Sequence, residues 1–459
     1  MNTQQKNHTM IRSEVPEPPT GTEKLKWYGP GLLWMLSAVG TGSILFTPRV
    51  ASAYQYELLW LLLLVVFFMW IMIREMARFS VITGQSMLEG MHTLKGPRDW
   101  AVWLIFLPQL FAAAVGIAGL SAIVGSALAS TLPGSNWLYS ILVIAGCTVF
   151  TASGHYMKIE RLSRVMAMIL MLLTVVAAVV VFSDYQSAMA GLMPQVPEDH
   201  DLYVILPWVG TILAGSMGIV WFGYWTASRG YGGGVAEEQP GRTRQGEESQ
   251  TLELRTQRIR AWLKIMTGAA TLGVVGGLAV IFSFMVLGAE LLSPQGVMPE
   301  GSDVADDLGR LFSEVWGVAG RVMMFAAIII ALGGSILANQ DGWGRSFADM
   351  TMILRRGILS GLPDLSRRTF KRLFIVVVTG VVPVGIVLVF ENPVQIMSAS
   401  GIIAAVHTPF IVLTALFVNR TRLPQTLRPG LFYSLAMLVS GLFYLGFAAL
   451  YFVQLAGWI

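Results

Sequence analysis

The chain has 459 residues, of which 54% are apolar and 13% charged, about half the charged share of a soluble globular domain, so it lacks the polar surface to cover itself in water. Its net charge of +4 is modest and its basic residues lie in short loops without an aromatic-bearing groove, which argues against a nucleic-acid partner. One cysteine, Cys147, excludes an intrachain disulfide and any cysteine-based metal cluster.

The first 26 residues are polar and lack the apolar core of a secretory signal, so insertion is expected to rely on the first true span. Apolar windows with charged or Pro/Gly punctuation predict eleven spans: about 31–52, 56–73, 102–130, 137–153, 163–182, 205–227, 262–288, 316–339, 373–390, 394–418 and 430–457. With the N-terminus in the cytoplasm, only Arg49, Arg310 and Arg321 of the 31 basic residues fall outside. That asymmetry predicts an N-in, C-out topology, in a bacterial inner membrane. A polar tail (1–28) precedes one transmembrane domain (29–459), with repeat one at about 29–182, repeat two at about 205–418 and an extra helix at about 430–457. The polar loop 229–261 divides the halves. Thr251–Arg260 alternates Glu and Arg, as an amphipathic helix along the membrane surface would, or as a plain solvated connector.

Two spans are poor continuous helices. Span 1 opens at Gly29-Pro30-Gly31 and is interrupted at Gly40-Thr41-Gly42-Ser43, with Pro48 following. Span 6 opens near Pro207 and is interrupted at Gly215-Ser216-Met217-Gly218, with Gly223 following. Each break lies about ten residues into its span, near the bilayer midplane at about 1.5 Å per residue. Unwound backbone is tolerated there only where it lines an enclosed cavity. Matched breaks in the two halves point to a transporter site, in which half-helix ends offer carbonyls to a cation and amides to an anion. The plainer alternative is close helix packing through small residues.

The stretch GPGLLWMLSAVGTGSILFTPRVASAYQYELLW (residues 29–60), together with Thr83-Gly84 and the small-residue run GIAGLSAIVGSALAS of span 3, resembles the natural resistance-associated macrophage protein (Nramp) family of proton-coupled divalent-metal transporters. The resemblance implies an all-α, eleven-helix membrane fold. Its two five-helix repeats are inverted, as in the wider amino acid, polyamine and organocation superfamily, and helices 1 and 6 are discontinuous. It also implies alternating-access symport of a divalent cation. Where classical members of that family have Asp-Pro-Gly-Asn, this chain has Gly40-Thr41-Gly42-Ser43, so the metal-binding and proton-linked carboxylate that the resemblance implies is absent and the chain looks like a divergent branch. Their Met-Pro-His-Asn type break in span 6 becomes Met217-Gly218-Ile219-Val220, which keeps only the thioether.

The expected substrate-binding residues are Gly40, Thr41, Gly42, Ser43, Gly215, Ser216, Met217, Gly218 and Tyr224, joined by Asn339, Gln340 and Asp341 at the cytoplasmic end of span 8. Met217, Ser43 and Asp341 are the candidate metal ligands, and His407 and Asp341 the candidate proton relay. Against these stand blander roles: Asp341 pairing with Arg345 four residues on, and His407, beside Thr408-Pro409, satisfying a freed carbonyl. Glu75 and Arg78 read as an ion pair or latch, while Gln109 and Glu391-Asn392 carry weaker signals. No His-Glu-x-x-His or Cys-x-x-Cys pattern exists, and Tyr231–Gly234 follows no soluble strand, so zinc chemistry and a phosphate loop are unsupported. No cofactor is expected and no enzyme activity; the expected partners are lipid and a small cation or solute. A same-fold carrier of a neutral or zwitterionic solute, with Trp221, Tyr224 and Trp225 lining its pocket, remains the alternative, as does a non-transporting sensor.

Overall fold

A computed structural model describes residues 15–37, 40, 42–154, 157–213, 215–233, 251–356, 361 and 365–457. The described residues are helical, with loops and turns between the helices. Among them nine helices are long and apolar enough to cross a membrane. The first and fifth expected spans are helical among the described residues but are not among those nine. Span 1 is divided into two half-helices, Gly29–Ser37 and Thr47–Tyr54, joined through a π-turn at Gly42–Phe46. Span 5 is the helix Met157–Val181, whose apolar portion is Ala167–Val181.

Span 6 is divided likewise. Leu202–Thr211 ends before Ser216–Arg229 begins. Between them Leu213 takes φ +65°, a left-handed conformation that is uncommon for a bulky side chain. Two halves of the chain thus each begin on a broken helix.

Elsewhere the helices run further than the apolar windows suggest. Span 7 is one helix, Leu252–Leu287, so Thr251–Arg260 is no separate surface helix but the start of that span. Its polar turns are held by the N-terminal segment: Arg258 donates to the Val15 carbonyl and pairs with Glu17, and Trp262 donates to the Pro16 carbonyl. Span 8 continues to Arg355, beyond the expected end at 339, and its start is marked by non-helical backbone at Trp316 and Gly317. Asn339-Gln340-Asp341 therefore lies inside the helix.

Small residues allow backbones to touch, as membrane helices require. A Cβ on Gly31 would stand 1.9 Å from the Ala269 carbonyl oxygen of span 7, and one on Gly210 2.1 Å from the Gly401 oxygen of span 10. Span 2 ends in a buried charge cluster with Glu75 between Arg74 and Arg78. Arg74 also donates to Thr267, Arg78 to the Leu427 carbonyl, and Asn419 to the Glu75 carbonyl, tying spans 2, 7 and 10 together. Every charge there has a partner, which is what burial of ionised groups demands.

Candidate transport site

The two breaks meet. A Cβ on Gly42 would lie 2.2 Å from the Thr211 carbonyl oxygen and 3.2 Å from its hydroxyl, so the unwound segments of spans 1 and 6 touch backbone to backbone. They border a cavity of about 1500 Å³, lined by Gly40, Gly42, Thr211, Leu213, Gly215, Ser216, Met217 and Gly218. Gly215 is not there for packing: a Cβ on it would meet only the Ala404 Cβ, at 3.9 Å. It is the N-cap residue of the second half-helix, Ser216–Arg229.

On one side the breaks are sealed. Thr47 donates to the Gly42 carbonyl at 2.7 Å and accepts from Trp208 Nε1 at 3.0 Å. Beyond them Arg49 reaches the Pro299 carbonyl and Glu300, and Tyr54 accepts from the Asp201 amide. On the other side the cavity widens past Tyr224 and Asn339 toward Gln85, Glu89, Asp349, Arg356 and Arg367. The three carboxylates that line it are each paired with a cation. Glu89 faces Arg356 at 3.0 Å and Asp349 takes Arg367 in a two-pronged contact. Asp341 holds Arg345 at 2.7 Å and Lys371 at 2.5 Å.

The expected site residues divide accordingly. Gly40, Gly42, Gly215, Ser216, Met217, Gly218, Tyr224, Asn339 and Asp341 all line the cavity. Thr41 lies outside the described residues. Ser43 is fully buried and not part of the lining. Gln340 turns away from the cavity: its amide donates to Thr148 and the Thr379 carbonyl and its oxygen accepts from Thr151, so it joins spans 4 and 9 instead. Asp341 sits in the wall, but as the centre of a salt bridge with two cations. Among the described residues no group of three or more His, Cys, Asp and Glu could hold a metal ion. The end of the cavity at the breaks is neutral, furnished with hydroxyl, thioether, amide and backbone groups.

His407 is buried outside the cavity lining and is fully engaged. Its Nε2 donates to the Leu104 carbonyl at 2.9 Å. That carbonyl is freed by Pro108, which stands four residues on inside span 3 and has no N–H to give it. The proline that creates the vacancy is therefore in span 3, not the neighbouring Pro409. With Nε2 protonated, Nδ1 of the neutral ring is an acceptor, and it takes a hydrogen bond from the Gln109 amide. The same amide nitrogen donates to Ser216 Oγ at 2.7 Å. Gln109 lines the cavity and is the site residue that sequence reasoning underweighted. Its signal was a carboxamide immediately after a proline in an otherwise apolar helix.

The sequence profile described as natural resistance-associated macrophage protein-like matches residues 31–454. An uncharacterised protein of Pasteurella multocida is 24% identical over 201 residues, a match spanning 42% of this chain and 45% of that relative's length. Among solved structures, the manganese transporter of Eremococcus coleocola superposes with a TM-score of 0.69 at 13% identity, over 95% of this chain and 89% of that one. Mhp1, a nucleobase-cation-symport-1 family transporter, gives 0.53 at 14% identity over 97% and 94% of the two chains. MhsT in complex with L-phenylalanine gives 0.53 at 15% identity over 95% and 99%. At these identities the structural likeness establishes the fold alone. The profile match, covering nearly all of the chain beyond the N-terminal segment, shows that this protein belongs to the natural resistance-associated macrophage protein-like family.

Proposed function

We propose that the protein carries a divalent cation through the contact between its two helix breaks by alternating access, and that the form described here is open to the cytoplasm. As a member of its family it is an integral membrane transporter of divalent metal rather than an enzyme. The observation that carries the site assignment is the juxtaposition of Gly42 and Thr211 at the blind end of a cavity that is sealed beyond Thr47 and Trp208. The cytoplasmic assignment rests on the same asymmetry of basic residues that predicts the topology, since the open end carries Arg345, Arg356, Arg367 and Arg368. A bacterial inner membrane is the location this reading supports.

The cargo would meet backbone carbonyls at the ends of the half-helices, the Ser216 hydroxyl and the Met217 thioether. A hard dipositive ion prefers oxygen ligands, usually with a carboxylate among them, whereas manganese or iron also accepts a thioether. Full dehydration into a neutral cage is costly, so the ion is carried with part of its water shell. Proton coupling does not follow from this site: His407 has both ring nitrogens occupied and Asp341 is held by two cations.

A second reading has its own observation. The break end is uncharged and Trp221, Tyr224 and Trp225 line the same cavity, a wall suited to a small neutral or zwitterionic solute. Uptake into proteoliposomes separates the two. Manganese, magnesium and calcium are offered in turn, with and without a pH gradient, and metal binding is followed by calorimetry. Saturable metal uptake supports the cation reading; no metal dependence at millimolar concentration rejects it.

A further inference from the structure

We infer that Gln109 supplies an oxygen ligand to the cargo: its side-chain Oε1 takes the cation or one of the cation's retained waters. This rests on the cation reading above. Gln109 is fully buried, lines the cavity and stands against Ser216 at the first turn of the second half of span 6. Its amide orientation is dictated from a distance. Pro108 frees the Leu104 carbonyl, and that carbonyl takes the proton-bearing Nε2 of His407. Nδ1 is thereby left as an acceptor, which only the NH₂ end of the carboxamide can satisfy. Turning the amide over would set two acceptors against each other.

Both amide hydrogens are then spent, one on His407 and one on Ser216. What remains is Oε1, which is buried and has no hydrogen-bond partner among the described residues. An unsatisfied buried carbonyl oxygen is uncommon and calls for an explanation. A carboxamide oxygen is also a good neutral ligand for a hard cation or an acceptor for a polarised metal-bound water. The same arrangement makes Ser216 an acceptor toward Gln109, so its own proton is turned to other partners while a lone pair remains. A neutral site thus contains a fixed oxygen pair, Gln109 Oε1 and Ser216 Oγ, on two different spans, with Met217 adjacent in sequence. The cargo class this fits is a partly hydrated divalent cation that tolerates a thioether.

The experiment uses the full chain in detergent, with Mn²⁺ as the probe and calorimetry as the readout. The variants are Gln109→Leu, Gln109→Glu and His407→Phe, each checked for an unchanged thermal transition. Gln109→Leu is expected to weaken Mn²⁺ binding about tenfold or more, and His407→Phe to weaken it in the same direction, since partners that orient a ligand matter on that scale. Gln109→Glu sets a carboxylate against Nδ1, a contact that His407 keeps by binding a second proton, and the added negative charge on Glu is expected to tighten Mn²⁺ binding and to raise its preference for Mn²⁺ over the organic solutes of the second reading. Wild-type affinity in Gln109→Leu overturns the assignment of Gln109 alone. Should Gln109→Leu fail to fold, Gln109→Glu decides: unchanged or weaker binding in a folded protein overturns it. Absence of metal binding by the wild type brings down the cation reading and this inference together.

Discussion

Gly42 lies against Thr211 so closely that a single added methyl group would stand 2.2 Å from the threonine's carbonyl oxygen. Backbone on one side and backbone on the other leave nothing that can yield. Gly42→Ala is therefore expected to abolish uptake and to lower stability by roughly 1–3 kcal/mol, the usual range for overpacking. Gly215→Ala is the matched control, because its Cβ would meet only Ala404 at 3.9 Å. It should keep its unfolding temperature. Equal losses from both substitutions, measured by thermal unfolding and proteoliposome uptake, would remove the special status of the contact.

Gly40 lines the cavity at the same break, at the position where the classical family pattern that the sequence resembles has an aspartate. Gly40→Asp is expected to tighten Mn²⁺ binding at least about tenfold, or ~1.4 kcal/mol, by adding an anionic ligand to a neutral site. Calorimetry on the purified variant checks it. An unchanged affinity would mean that this position does not face the ion.

Much of this was legible from composition and glycine placement. Breaks near Gly40 and Gly215 announce themselves because glycine runs at mid-depth have no structural reason to be helical. Where a side chain points is another matter. Gln340 and Asp341 are consecutive on one helix, about 100° apart, so one reaches Thr148 and Thr379 while the other faces the cavity and Lys371. Apolar windows could not locate the end of span 8 either, because a helix continues through polar residues wherever their side chains find partners. The Gln109–His407–Leu104 chain joins residues about 300 positions apart, and only tertiary packing brings them together.

Orientation in the membrane can be read chemically. Gln85 is exposed at the open end of the cavity and Glu300 half-exposed at the sealed end. In a Cys147→Ser background, Gln85→Cys should react with a membrane-impermeant thiol reagent only from the cytoplasmic side, and Glu300→Cys only from outside. The reverse pattern would invert the topology.

Pro108 and His407 form a matched pair across spans 3 and 10. Pro108→Ala restores an N–H that re-bonds Leu104, which favours the helix by up to about 3 kcal/mol, yet makes His407 Nε2 compete for its acceptor. The expected result is an unfolding temperature that holds or rises while Mn²⁺ uptake falls several-fold. The ¹⁵N shifts of the His407 ring should lose the signature of a single tautomer. A variant with full uptake would show that the relay does not orient Gln109.

Asp341 tests the electrostatics of the entry route rather than the ligand set. Its two cations, Arg345 and Lys371, stand at 2.7 and 2.5 Å, and Asp341→Asn removes the negative charge they share beside the passage. The stability loss should stay well under the about 3–5 kcal/mol of a broken buried pair, because the Arg345 side chain is 47% exposed. The effect on a dipositive ion is expected in the rate. Like-charge repulsion in a confined vestibule should slow Mn²⁺ uptake several-fold at low ionic strength, and the deficit should shrink as salt shortens the screening length to about 8 Å and below. Equilibrium Mn²⁺ affinity at the breaks should move by less than about twofold, since on this account Asp341 is no ligand. Lys371→Met in the wild-type background should act in the opposite direction and speed entry. A salt-independent loss of affinity in Asp341→Asn would instead place this carboxylate on the ion.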